Sequence, residues 1–475
     1  MKELLPLALV VLLVLSTAPL EDCLATRSVA VMPDLPLVRA EGTHFEFSNG
    51  TFVTFHGVDL SGLEDGSDNF TAADFQAMAN WGFNAIRLPI AWSFLEPLPN
   101  KFNASYLAEI ESVVETANSY GIYVLIDMHQ WFWSPVFSPL AGSRTNGLPS
   151  WALNDTSPTY SAMDQDMAYF WSNGTVEAAF ASAWGYLALH LAGFSGILGY
   201  DLFNEPTTPP GWSSATMYRR MARVYDLAIQ SIRAAGARQL IFMETSNYDS
   251  GVNRKDWVEP YDPDHGLVLE VHDYSVDLAG TAFQAALLES RDWDVPLFVG
   301  EFGGSYSSAA SAIPLFDSYG LSWTYWCYSW TGAGGPGNVN YADNPRVLML
   351  GEPYARLSSA PVLSLTVKNE TSGGWLEGVN VSFSLQAQQG WAEIFVPEEL
   401  NRVSVPSIGH LLNVTTRNGS GSVVLKARPG ISASYIPAGY VPPYFETYFE
   451  VVIMVLLAFF VAVLVGVLRY LKRDR

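Results

Sequence analysis

"VVETANSYGIYVLIDMH", residues 113–129, holds two structures in one run. Val113, Val114 and Ala117 recur at helical spacing, Gly121 interrupts, and Ile122–Met128 is an apolar strand with His129 at its tip. A glycine just past a helix takes the left-handed conformation that ends it, so the run reads as helix, tight turn, strand. The unit recurs in "FQAMANWGFNAIRLPI" at Gly82, "LALHLAGFSGILGYDLF" at Gly193, "IRAAGARQLIFMET" at Gly236 and "FDSYGLSWTYW" at Gly320. Three further strands fit the series: "FVTFHGVDL", "GLVLEVHDY" and "VPLFVGEF". Strands are therefore expected at 52–60, 84–90, 122–128, 197–203, 239–245, 266–272, 295–301 and 321–328. The third to fifth and the seventh are nearly continuous apolar runs, as parallel strands covered by helices should be. The pattern points to an α/β chain closed into a (β/α)8 (TIM) barrel. An open doubly wound sheet is the competing topology, but no glycine-rich phosphate loop follows the first strand.

Residues 129–173 form one long connection carrying Trp131, Phe132, Trp133, Phe137, Trp151, Tyr160, Tyr169 and Trp171. Most of these aromatics are expected to pack the loop onto the barrel, with two or three left exposed in a groove. Beyond residue 355 short alternating runs broken by Gly, Asn and Pro replace the βα rhythm, the pattern of a small β-sandwich.

Both ends are apolar. "LLPLALVVLLVL" has the length of a signal peptide, with a cleavage point expected after Ala25. "VVIMVLLAFFVAVLVGVL", residues 451–468, is about 27 Å long as a helix, close to the bilayer core. Arg469, Lys472, Arg473 and Arg475 follow as a cytoplasmic stop. The expected organisation is a signal peptide over 1–25, the barrel over 26–354 and a β-sandwich over 355–436. A stalk over 437–448, a transmembrane helix over 449–468 and a basic tail over 469–475 complete it. Nine Asn-x-Ser/Thr sequons, from Asn49 to Asn418, suit an exported, cell-surface ectodomain. Removing Cys23 with the signal leaves Cys327 alone, so no intrachain disulfide is expected. With 25 Lys and Arg against 47 Asp and Glu, the chain offers no basic stripe for nucleic acid.

In such a barrel the active site sits at the C-terminal ends of the strands. The polar residues there are Arg87, His129, Asn204, Glu205, His272, Tyr274, Glu301 and Trp326. Two facing carboxylates are what glycoside hydrolysis needs: one protonated to serve the leaving oxygen, one ionised to attack the anomeric carbon. Environment would divide the roles. Glu301, beside Arg87 and within reach of the Tyr274 hydroxyl, is expected to be the nucleophile. Glu205 is expected to be the acid/base. Asn204 suits a sugar 2-hydroxyl, His129 and His272 suit sugar hydroxyls or the orientation of the carboxylates, and Trp326 offers a flat face to a pyranose. Alternatives remain for each: Glu301 as a structural partner of Arg87, Glu205 as a helix-start acceptor, the histidines as metal ligands. No HExxH or Cys/His spacing supports a metal, and no cofactor is expected.

Taken in order, "RLPIAW", "IDMHQ", "YDLFNEP", "VHDY", "VGEFG" and "WTYW" resemble glycoside hydrolase family 5 over about residues 45–350. The resemblance implies a retaining β-glycosidase with Glu205 as acid/base and Glu301 as nucleophile. It implies substrate contacts at Arg87, His129, Asn204, His272, Tyr274 and Trp326. "DMHQ", "NGLPSWA" and the trailing "WAEIFVP" look most like the endoglycoceramidase-related branch, which cleaves the glycan from a glycolipid. The pattern departs at Trp131, where that branch carries Asp. Expected partners are thus a β-linked oligosaccharide, polysaccharide or glycolipid, and the lipid bilayer through the C-terminal helix. Endo-β-1,4-glucanase and exo-acting β-glucosidase specificities stay open, as does a catalytically dead carbohydrate-binding surface protein.

Overall fold

A computed structural model describes residues 35–68, 70–245, 254–274, 281–329, 345–372, 375–397, 409–416 and 418–426. The expected signal peptide, stalk, transmembrane helix and basic tail lie outside these residues. Among the described residues no helix is long and apolar enough to cross a membrane.

The described residues open with two antiparallel strands, β1 (Val38–Glu41) and β2 (His44–Phe47), and the short β3 (Phe52–Val53). The eight that follow are β4 (His56–Ser61), β5 (Ala85–Ile90), β6 (Tyr123–Met128), β7 (Ile197–Asp201), β8 (Leu240–Glu244), β9 (Leu267–Asp273), β10 (Leu297–Phe302) and β11 (Ser322–Ser329). They pair in parallel and close in the order β10-β11-β4-β5-β6-β7-β8-β9. The expected barrel is present, and each of its strands lies inside or within a few residues of its expected run.

Local chemistry explains the helices between them. The helix Ala104–Ser119 starts at Asn103, whose side chain accepts from the Ser105 and Tyr106 amides. Ser213 and Ser305 do the same for Ser214–Ala234 and Tyr306–Ser318. Of the five glycines expected in the left-handed conformation, Gly82, Gly121, Gly236 and Gly320 adopt it, with φ between +64° and +91°. Gly193 does not. Its helix ends at Leu191, and two short turns, Phe194 N–H to Leu191 O and Ile197 N–H to Phe194 O, deliver the chain to β7 instead.

The first expected strand is broken in two. Phe52–Val53 pairs antiparallel with β2, the chain bends, and His56 begins the barrel. The β1–β3 segment closes the N-terminal end of the barrel. Val38, Phe45, Phe47 and Phe55 pack there against Leu125, Leu198, Phe242 and Phe298.

An all-β region follows the barrel: β12 (Tyr354–Ser358), β13 (Val362–Ser372), β14 (Trp375–Leu385), β15 (Trp391–Pro397), β16 (Gly409–Thr415) and β17 (Ser420–Lys426). It makes two sheets, β1-β2-β3-β12-β15-β16 and β13-β14-β17. Tyr354, Leu365, Val381, Phe383, Ile394 and Phe395 share one core between them. The first sheet therefore takes strands from both sides of the barrel sequence, so the β-region is not confined to residues after 354. Its seam with the barrel is tight. The Tyr354 hydroxyl donates to Gly82 O at 2.8 Å, and His56 stacks between Trp323 and Tyr354. A side chain at Gly82 would strike the Phe395 ring in a left-handed backbone. Gly82→Ala is therefore expected to cost about 2–4 kcal/mol, read as a lowered Tm in thermal melts.

The long connection after β6 is largely structured. It contains the helix Tyr160–Phe170 and shorter turns at Pro135–Phe137, Ser138–Ala141 and Ser150–Ala152. Trp133, Phe137 and Trp171 are buried, while Trp131 and Tyr160 stay exposed.

Candidate active site

Arg87, on β5, is fully buried at the centre of the barrel. Its guanidinium donates to Glu301 Oε1 at 2.8 Å, Asp59 Oδ1 at 3.1 Å, Asp201 Oδ2 at 2.6 Å and Asn204 Oδ1 at 2.9 Å. Asp127 Oδ2 and Glu270 Oε1 lie at 3.0 and 3.2 Å. Five carboxyl groups from β4, β6, β7, β9 and β10 thus converge on one cation. Burial, and then the neighbouring acids, holds Asp59, Asp127 and Glu270 well above the usual carboxylate range, although Arg87 opposes this. Asp201 is raised by burial against the pull of Arg87. Burial disfavours the guanidinium charge, but Asp127, Asp201, Glu270 and Glu301 outweigh it and hold the Arg87 pKa up.

Above this layer opens a cavity of about 550 Å³ lined by His129, Asn204, Glu205, Tyr274, Glu301 and Trp326, with Glu64, Asp65, Trp131, Arg144 and Asn146 as further wall. Glu301 accepts on both oxygens, from Arg87 and from the Tyr274 hydroxyl at 2.7 Å. Burial and the Glu301 charge push the Tyr274 phenol well up, so it stays a donor. Glu205 follows β7 with φ +44°, and its Oε1 lies 3.2 Å from His272 Nδ1. Burial lowers His272 to about 3, so the ring is neutral over the ordinary working range. His129 Nδ1 is 2.7 Å from Asp127 Oδ2, and its ring lies parallel to that of Trp326 with centroids 5.3 Å apart. One Asn204 amide hydrogen goes to Gln130 O at 3.0 Å.

All eight residues expected at the strand ends meet here. Six line the cavity, Arg87 lies beneath it, and His272 supports Glu205 from below. Asp59, Asp127, Asp201, Glu244 and Glu270 were not anticipated. A signal existed: Asp127 stands two residues before His129, and Glu270 two before His272. That spacing puts both members of each pair on the same face of a strand. Glu205, His272 and Glu301 also bring one donor atom each to within 4.8 Å of one another, a set able to hold a metal ion. The Arg87 charge 2.8 Å from Glu301 repels a cation from that position.

The model of the cellulase family, glycosyl hydrolase family 5, matches residues 44–332. The chain belongs to glycosyl hydrolase family 5. This bears out the resemblance read from the motifs. The family 5 chain is 24% identical over 314 residues to an endoglycoceramidase of Hydra vulgaris, covering 55% of this chain and 59% of that enzyme. It is 24% identical over 464 residues to endoglycoceramidase I of Rhodococcus hoagii (strain 103S), covering 85% and 90%. It spans less than two thirds of the Hydra enzyme and 65% of a Cyanea nozakii endoglycoceramidase. Among solved structures, an endogalactoceramidase superposes with TM-score 0.63 at 24% identity, over 82% of this chain and all of the other. Endo-glycoceramidase II from Rhodococcus sp. in complex with ganglioside GM3 does so with TM-score 0.63 at 19% identity, over the same shares. At these identities the superpositions establish a common fold.

Proposed function

We propose that this family 5 chain is a retaining glycoside hydrolase that cleaves β-linked O-glycosidic bonds, with Glu301 as nucleophile and Glu205 as acid/base. The observation that carries the reading is the spacing of the two carboxyl groups. One oxygen of each lies within 4.8 Å of the other, close to the 5–5.5 Å typical of retaining enzymes and far below the ~6.5–9.5 Å of inverting ones. Glu301 attacks the anomeric carbon while the glycosidic C–O bond breaks and Glu205 gives its proton to the departing oxygen. A glycosyl ester on Glu301 results. Glu205 then takes a proton from water, the hydroxyl adds to the anomeric carbon, and Glu301 is released. The Tyr274 and Arg87 donors hold Glu301 as an acceptor throughout.

The glycan of a glycolipid is the substrate class we favour, supported by the relatives named endoglycoceramidase and by the motifs of that branch. The test is turnover of aryl β-glycosides, soluble β-glucans and glycosylceramides by the purified protein. Activity on β-glucan without glycosylceramide activity would move the reading to an endoglucanase. No activity on any of the three would leave a carbohydrate-binding barrel. In the same assay Glu205→Ala is expected to lower turnover of poor leaving groups about 10²–10⁴-fold while sparing cleavage of the dinitrophenyl glycoside.

A glycolipid substrate fits a cell-surface enzyme held by the apolar run 451–468. A chain ending near Pro437 is then expected in the medium as a soluble protein. Its retention in the membrane fraction would count against a single C-terminal anchor.

A further inference from the structure

Glu205 has a backbone that a residue with a Cβ avoids. Its φ of +44° lies in the left-handed region, where a non-glycine residue is held only by its surroundings. It also lies beyond β7, which ends at Asp201, so no regular strand pairing holds its peptide groups. Side chains from the two flanking segments do so instead. On the β6 side, Gln130 is buried and its Nε2 donates to both Asn204 O and Glu205 O, each at 3.2 Å. The Gln130 side-chain carbonyl is itself fixed by the Trp133 amide at 2.9 Å, and Asn204 Nδ2 returns a bond to Gln130 O. On the β8 side, the buried Glu244 accepts the Glu205 N–H on Oε2. Its other oxygen lies 3.4 Å from His272 Nδ1, the same atom that reaches Glu205 Oε1. The amide and the carbonyl of Glu205 are thus both held by side chains, one from each neighbouring strand end.

We propose that Gln130 and Glu244 are positioning residues that clamp the Glu205 backbone in its left-handed conformation and so aim its carboxyl into the cleft. The inference rests on Glu205 being the acid/base. Neither residue touches the reacting atoms. Their effect is therefore confined to the step that needs a well-aimed proton, since a displacement of about 1 Å can cost ~10²-fold in rate. Burial, followed by the charges of Glu205 and Glu270, holds the Glu244 carboxyl well above the ordinary range, in keeping with its place among other acids.

The experiment compares Glu244→Leu, Glu244→Gln, Gln130→Met and Glu205→Ala on a phenyl and a dinitrophenyl β-glycoside, with thermal melts alongside. Glu244→Leu and Gln130→Met are expected to lose kcat/KM about 10–100-fold on the phenyl glycoside and only a few-fold on the dinitrophenyl glycoside. Glu244→Gln keeps an acceptor for the Glu205 amide and is expected to restore most of the phenyl rate. Equal losses on both substrates, or none, would overturn the clamp. Glu205→Ala separates the two readings. If it discriminates between leaving groups and the clamp variants do not, the clamp is wrong and the acid/base stands. If Glu205→Ala shows no discrimination, the acid/base assignment falls and the clamp falls with it. Should Glu244→Leu fail to fold, the uncharged Gln130→Met carries the test.

Discussion

Replacing Glu301 by alanine is expected to abolish turnover of β-glycosides whatever their leaving group, by a factor on the order of 10⁵ or more. The size follows from the chemistry. Without the carboxylate nothing attacks the anomeric carbon, and a better leaving group does not supply an attacker. This separates Glu301 from Glu205, whose loss a dinitrophenolate leaving group masks. Arg87 at 2.8 Å and Tyr274 at 2.7 Å frame the space that the side chain vacates. Azide is expected to enter that space and attack a dinitrophenyl β-glycoside from the face Glu301 occupied. The product is then the α-glycosyl azide, with inverted configuration. Proton NMR of the azide adduct and of the first product of the intact enzyme checks both halves. A β-azide from the variant, or an α-anomer released first by the intact enzyme from a β-linked substrate, would remove Glu301 from the nucleophile's role.

Arg87→Met should be the most destabilising single change in the site. The methionine roughly fills the volume but leaves Asp59, Asp127, Asp201, Glu270 and Glu301 facing one another with no counter-charge. Breaking a buried ionic cluster from one side costs about 3–5 kcal/mol. The deficit should depend on pH. Asp59, Asp127, Asp201 and Glu270 have folded pKa values raised, first by burial, above those of the unfolded chain. Groups of that kind favour the folded state fully below about pH 4 and withdraw the favour as pH climbs through their folded values. Losing Arg87 raises those values further, so the variant should come closest to the parent near pH 4 and fall away toward neutral. His129 and His272 act in the other direction. Burial lowers both, so their contribution is complete above about pH 6.5 and lost on acidification, toward about 3 for His272. The Arg87 charge also lowers both, so its loss lets them hold a proton more readily and narrows the variant's deficit further on the acid side. Thermal melts of the pair from pH 4 to pH 8 are the measurement. A deficit constant across that range would mean that Arg87 contributes packing rather than charge.

What the sequence determined by itself is what neighbouring residues settle among themselves. The strand between Ile122 and His129 is announced by its apolar run, and the helix before it by its spacing and the Gly121 stop. The tips "NEP", "VHDY" and "VGEF" follow because a strand of known start has a known end. That was enough for eight strands, the barrel and the eight residues at its mouth. Where a second local solution existed, as at Gly193, the chain used it. What only the tertiary structure decided depends on which distant strands become neighbours. Phe52–Val53 reads as one strand with His56–Leu60, yet its partner Leu357–Ser358 lies some three hundred residues on, and that pairing breaks the run. Asp59, Asp127, Asp201 and Glu270 each look like an isolated acid in an apolar strand. Closing the barrel puts all four around Arg87, and their raised pKa values follow from burial, which the one shared cation opposes without cancelling. The hold on Glu205 is of the same kind. Gln130 and Glu244 are 75 and 39 residues from it, and only the β6-β7-β8 order brings both to one peptide. Spacing of a few residues carries helix, strand and turn, whereas charge and strain at the site belong to contacts that exist only once the sheet has closed.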